Sequence, residues 1–217
     1  IGQFWAELNV GNAKVKKTTA NEIVTNGNAM YSIAGATFGI FSDQNCSNQI
    51  GTLTTNENGD TNEVEVTAGT VYIKELSAPK GYKLDTIVSS LKVEAGKTAT
   101  LNVSDVPKVT ETLVDLFKID METGKATAQG DAALAGAEFT WHYYDGLYTK
   151  DNLPEKATRT WVIKTVAEKD SDGNSHYVTK LTDACKVSGD AFYTQNEKSV
   201  LPLGTLTVEE TKAPDGY

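Results

Sequence analysis

The chain writes one phrase twice, "KELSAPKGY" over Lys74–Tyr82 and "EETKAPDGY" over Glu209–Tyr217. Each copy closes a β-like run with a glutamate and an Ala-Pro-x-Gly-Tyr turn, so one module has been duplicated. Earlier landmarks keep the same register. "SIAGATFGIF" from Ser32 and "ALAGAEFTWH" from Ala133 correspond, with Ile33 and Leu134 101 residues apart, and Lys17 and Lys118 are also 101 apart. The glutamates Glu75 and Glu210 are 135 apart, so the second copy carries 34 additional residues between its second landmark and its glutamate.

A length of 217 residues leaves about 100 per copy, near the lower comfortable size for a domain with its own core. Hydrophobic content of 39% against 23% charged residues predicts a folded chain. A formal charge of -9 argues against nucleic acid or an anionic membrane as partner, because both are bound through Lys and Arg clusters. No apolar run reaches the roughly 18 residues of a membrane span. The opening "IGQFWAELN" reads as the interior of a longer protein. Cys46 and Cys185 fall in different copies and are expected to be free thiols rather than a disulfide framework.

Alternation in "NEVEVTAG", "TVYIKEL" and "TATLNVSDV", with turn signals such as "NENGD" and "DSDGN", predicts strands throughout. The strongest helical competitor, Leu153–Lys169, mixes Val, Ile and Thr and reads as strand. The expected fold is all-β: two tandem immunoglobulin-like Greek-key β-sandwich domains, the second with an insertion and lacking its last strand. The boundaries read as a leader or interdomain segment over 1–12, a first domain over 13–107 and a second over 108–217, with the insertion at about 142–200.

The lysines constrain function. Alternation puts Ala13, Val15 and Lys17 on one strand face, and Val114, Leu116 and Lys118 on the matching face of the second copy. Likewise Val71, Ile73 and Glu75 share a face, as do Leu206, Val208 and Glu210. Each copy thus offers a Lys and a Glu that point into a β core. A lone buried ammonium ion is costly, so each lysine must be paired, deprotonated or covalently consumed.

At these residues the chain resembles the collagen-binding-protein B-type domains, the SpaA-like prealbumin-fold modules of Gram-positive surface proteins. The resemblance rests on the first-strand Lys, on "LAGAxF", and on the Glu-Thr-x-Ala-Pro-x-Gly-Tyr box that "EETKAPDGY" fits closely. "KELSAPKGY" departs from that box at Leu76 and Ser77. The resemblance implies an intramolecular isopeptide bond from Lys17 to an acceptor on the last strand, promoted by Glu75. Asp105 stands where the family acceptor does and shares a face with Leu101 and Val103, whereas Asn102 faces away. A desolvated amine is a nucleophile, a buried carboxylic acid can shuttle protons, and a folded core supplies proximity. From the residues alone, a buried ionic triad or snorkelling side chains stay open as alternatives. In the second copy Lys118 and Glu210 are present, but the sequence stops at Tyr217 before any acceptor strand.

Other signals are weaker. "DSDGN" at 170–174 reads as a hairpin turn rather than a calcium loop, and His142 and His176 lack companions at metal-ligand spacing. Trp141, Tyr143, Tyr144, Tyr148 and Trp161 read either as strand packing or as a surface for protein or glycan. No cofactor or metal is called for, and no enzyme active site is visible beyond single-turnover self-cross-linking. The resemblance implies structural stalk modules of a cell-wall-anchored extracellular adhesin or pilin. Their partners would be neighbouring domains of the same surface protein, and the chain would be monomeric. The alternative is a module that binds host protein or glycan through the enlarged second domain.

Overall fold

A computed structural model describes residues 9–110, 116–126, 129 and 133–217. The chain divides into two compact units, Ile1–Lys108 and Val109–Tyr217. Both are built almost entirely of strands.

The first unit runs β1 (Val10–Thr19), a one-turn helix α1 (Glu22–Thr25), β2 (Thr37–Phe41), β3 (Gln49–Thr54), β4 (Val64–Thr67), β5 (Gly69–Ser77), β6 (Val88–Val93) and β7 (Thr98–Asp105). These form two sheets, ordered β4-β1-β7 and β3-β2-β5-β6. Strand β1 begins at Val10, three residues before the domain start read from the sequence. The helix was not read from the sequence because one turn is too short to show a period; the Asn21 side chain caps it by accepting from the Val24 N–H.

Period-two alternation sets the core. On β1 the buried positions are Gly11, Ala13, Val15 and Lys17, and Ala13 and Val15 pack with Phe38, Ile40, Leu53, Val71 and Ile73. Gly59, in the "NENGD" turn, holds a φ of +79° and accepts from the Lys17 N–H at 2.7 Å. A Cβ at Gly59 would collide with the Lys17 carbonyl oxygen, so glycine is required for this turn to close over β1.

The pairing of β1 with β7 is parallel, with Lys17 registered to Val103 and Thr19 to Asp105. Antiparallel pairing of β2 with β5 sets Phe38 opposite Glu75 and Thr37 opposite Ser77, so Leu76 bulges out of the ladder.

The second unit runs β8 (Val109–Thr110), β9 (Leu116–Phe117), β10 (Glu138–Tyr144), β11 (Arg159–Lys164), β12 (Val166–Lys169), β13 (Ser175–Thr179), β14 (Lys186–Gly189), β15 (Tyr193–Gln195), β16 (Lys198–Pro202) and β17 (Thr205–Lys212). Its sheets are β14-β11-β10-β17, β12-β13-β9 and β15-β16-β8. The duplicated landmarks reproduce the same local geometry. Phe139 is registered to Glu210 and Glu138 to Lys212, leaving Thr211 as the bulged residue, the counterpart of Leu76. Strand β13 pairs antiparallel with β9 as β4 does with β1. The added residues are spent on strands: Leu153–Lys169 contains β11 and β12, and residues 170–174 turn between β12 and β13 with the Asp170 N–H donating to Asn174 O.

Candidate functional site

Lys17, Glu75 and Asp105 come together between the two sheets of the first unit, with 0%, 3% and 2% of their surface exposed. Lys17 and Asp105 reach the site from neighbouring strands of one sheet and Glu75 from the other. Because Asp105 is registered to Thr19, its side chain lies two positions along the shared inward face from Val103, and it meets Lys17 on the diagonal. The Lys17 Nζ donates to Glu75 Oε1 at 2.7 Å and stands 2.5 Å from Asp105 Oδ2. That second approach lacks hydrogen-bond alignment, and Oδ2 has no hydrogen-bond partner. The Phe38 ring lies under the amine, 5.0 Å from Nζ to its centroid.

The charges do not balance if all three groups ionise. One ammonium between two carboxylates leaves a net negative charge inside an apolar core, which is costly. Burial pushes the Glu75 carboxyl above the usual glutamate range, against the lowering effect of Lys17 and of the Asp85 N–H, which donates to Oε2 at 2.8 Å. The arrangement therefore favours a neutral Glu75 beside an amine and a carboxyl group already in contact.

Asn102 is exposed on β7 while Asp105 is buried, as the alternation of that strand requires. Two participants were not singled out in the sequence. Phe38 lay in the quoted "AGATF" without a role, and Asp85 contributes only a backbone N–H, which no side-chain pattern reports.

In the second unit the Lys118 Nζ donates to both carboxylate oxygens of Glu210, at 2.8 and 2.9 Å. The side chains keep 19% and 34% exposure, so this pair is in contact with solvent. Among the described residues β9 pairs only with β13 and has no counterpart of β7 on its other side. Val114 lies outside the described residues, so the predicted face of Val114, Leu116 and Lys118 is represented by Lys118 alone.

The aromatic residues of the second unit are spent mainly on its core. Trp141, Tyr143, Tyr144 and Trp161 are buried, and Tyr148 is half-buried. Tyr143 and Trp161 both meet Tyr193 edge-on, with ring centroids 5.4 and 6.4 Å apart, and the Arg159 guanidinium caps the Tyr193 ring at 3.6 Å. His142 shares a hydrogen bond with Thr160, and His176 packs on Phe117. Cys46 and Cys185 are free thiols. No group of three or more His, Cys, Asp or Glu suited to a metal ion occurs among the described residues, nor does any helix long and apolar enough to cross a membrane.

Two facing sheets with a parallel pairing of the first and last strands define the class as a prealbumin-like β-sandwich. Residues 11–107, most of the first unit, match the SpaA family of prealbumin-like fold domains. Over 88 residues the chain is 35% identical to the trypsin-resistant surface T6 protein of Streptococcus pyogenes serotype M6, a stretch that is 36% of this chain and 16% of the relative. In fold it is similar to the Bacillus anthracis TIE protein, with a TM-score of 0.55 and 24% identity over 96% of this chain and 29% of that one. A C-terminal fragment of the pilus adhesin SpaC from Lactobacillus rhamnosus GG matches at a TM-score of 0.44 and 19% identity, over 95% of this chain and 78% of the fragment. The matched regions thus span less than a third of the T6 and TIE proteins.

Proposed function

We propose that the chain is a length of extracellular stalk in a Gram-positive surface adhesin or pilin, and that its first unit seals itself with an amide bond between Lys17 and Asp105. The observation that carries this reading is the buried amine of Lys17 lying 2.5 Å from Asp105 Oδ2 and 2.7 Å from Glu75 Oε1.

The reaction is a condensation. Nζ attacks Cγ of Asp105, forming the Nζ–Cγ bond, and a Cγ–Oδ bond breaks. An ammonium and a carboxylate together contain the atoms of one amide and one water, so nothing else is consumed. A proton first passes from the Lys17 ammonium to the Asp105 carboxylate, leaving a neutral amine to attack. Glu75, neutral at the outset, protonates the departing oxygen and then takes the proton that the attacking nitrogen releases, so its acid form is regenerated. Fixing the reactants inside a folded core can supply about 7 to 11 kcal/mol of the barrier, enough for a reaction that happens once and has no turnover.

The topology explains the benefit. The chain enters the unit on β1 and leaves it on β7, which run parallel as neighbours. With Lys17 joined to Asp105, tension arriving on β1 passes directly into the exit strand, and residues 18–104 stay out of the load path. Protease access through opening of the sandwich is suppressed for the same reason, which accords with a relative named for trypsin resistance.

High-resolution mass spectrometry of the intact chain tests the reading. The expected mass is one water below that of the linear sequence, and Lys17→Ala restores it. An unmodified wild-type mass refutes the proposal.

A further inference from the structure

Glu75 touches two donors, one on each oxygen. Oε1 faces the Lys17 amine, and Oε2 accepts from the Asp85 N–H at 2.8 Å. Asp85 belongs to residues 83–87, the last part of the 78–87 connection from β5 to β6, which lies outside any strand. A backbone N–H in such a segment ordinarily faces water, yet this one is aimed at a buried carboxyl group. Side-chain packing does not bring it there, because the neighbours Leu84 and Ile87 are 47% and 68% exposed. Polar contacts do: the Lys83 N–H donates to Val106 O at 3.0 Å, and the Asp85 carboxylate accepts from the Ile87 N–H at 2.9 Å. Beneath the segment lies a cavity of about 20 Å³ bordered by Glu75, Asp85 and Asp105, enough for one water molecule.

We propose that Asp85, through its backbone N–H, is a positioning residue for the cross-link: by occupying Oε2 it confines the proton exchange of Glu75 to Oε1, the oxygen that faces Lys17. This rests on the cross-linking reading above. Once Lys17 has given up its ammonium proton, its amine can accept a hydrogen bond from a hydroxyl at Oε1, whereas the Asp85 N–H can only donate. In the reacting neutral state Oε2 is therefore the carbonyl-like oxygen and the hydroxyl sits on Oε1. The proton is then always on the side of the attacking amine. Without the Asp85 donor Oε2 has no partner that keeps it unprotonated, and the proton can sit there, directed away from the reaction. The cavity receives the water that leaves Asp105, next to the carboxyl group that protonates it.

Asp85→Pro removes the N–H. Appearance of the water-depleted mass is followed in a time course of cell-free synthesis across a range of pH, for wild type, Asp85→Pro and Asp85→Ala, with folding checked by circular dichroism. The proline variant is expected to react at least about tenfold more slowly, with the Glu75-dependent limb of its pH profile displaced. Asp85→Ala keeps the N–H and should react faster than the proline variant. Wild-type rate and pH profile in a folded Asp85→Pro protein overturn the inference, whereas failure of the wild-type chain to lose water overturns the cross-linking reading itself. If Asp85→Pro does not fold, the test moves to the unreacted Asp105→Ala protein and its Asp85 amide resonance. A shift of that resonance with Glu75 protonation that vanishes in Glu75→Gln supports the inference. A resonance that does not respond overturns it.

Discussion

Phe38 stands opposite Glu75 across the β2–β5 ladder, and Phe139 stands opposite Glu210 in the same relation in the second unit. In both cases the next residue of the glutamate strand is bulged out, Leu76 in one and Thr211 in the other. The bulge explains why the departure from the consensus at Leu76 leaves the site intact: the side chain is exposed and the glutamate keeps its inward aim. What separates the units is coverage. Glu75 is enclosed together with Lys17 and Asp105, whereas Glu210 and Lys118 share their ion pair with solvent.

Glu75→Ala should give a folded first unit that retains its full linear mass. Closing a loop of roughly 90 residues is worth on the order of 4 to 5 kcal/mol by the chain-entropy argument used for disulfides. Urea unfolding of wild type and variant should differ by about that amount. Coincident transitions would remove the stabilising role of the bond.

The two lysines should respond differently to truncation. In a chain kept uncross-linked by Asp105→Ala, Lys17→Ala strips the buried Glu75 of its partner, and breaking one side of a buried pair costs about 3 to 5 kcal/mol. Lys118→Ala breaks a solvent-exposed pair and should cost less than about 1 kcal/mol. Denaturant midpoints of the two variants, each against its own parent, give the comparison.

Stability of an uncross-linked Lys17→Met protein should fall as pH rises. Burial lifts the Glu75 carboxyl above its unfolded value, so the folded state holds a proton that the unfolded chain has released. The corresponding stabilisation is complete below the ordinary glutamate range and is lost as pH climbs through the raised folded value. A denaturant midpoint that stays level or increases between about pH 4 and pH 7 would contradict it.

Tyr217 donates its phenol to Asp120 Oδ2 at 2.6 Å, and this bond is the chief cause holding the Asp120 carboxyl below the usual range. The Thr123 N–H adds to it at 2.7 Å. Tyr217→Phe should raise the Asp120 pKa, read as a shift in its side-chain carbon resonance on titration. The sign for stability is opposite to that of Glu75. A depressed carboxyl stabilises above its unfolded pKa and loses that contribution as pH falls, so Tyr217→Phe should flatten the acid limb of second-unit unfolding.

The sequence by itself determined the duplication, the all-β character, and which side chains share an inward face. Offsets of 101 and 135 residues locate matching lysines and glutamates without any structure. Alternation, a strictly local property of period two, separates Asp105 from Asn102 and sets Lys17 beside Ala13 and Val15. Tertiary structure decided the rest, because strand pairing joins residues that local pattern cannot relate. Only the parallel register of β1 with β7 brings Lys17 to Asp105, and only the crossing to the opposite sheet brings Glu75 to both. The Asp85 N–H is a backbone group aimed by a loop, invisible to side-chain periodicity. Whether an aromatic cluster is surface or core was equally undecided, since Trp and Tyr suit both; the strands around Trp141 and Trp161 bury them. The same inward alternation gave a sealed site in one unit and a solvated ion pair in the other, because burial belongs to what packs over a face and not to the strand that presents it.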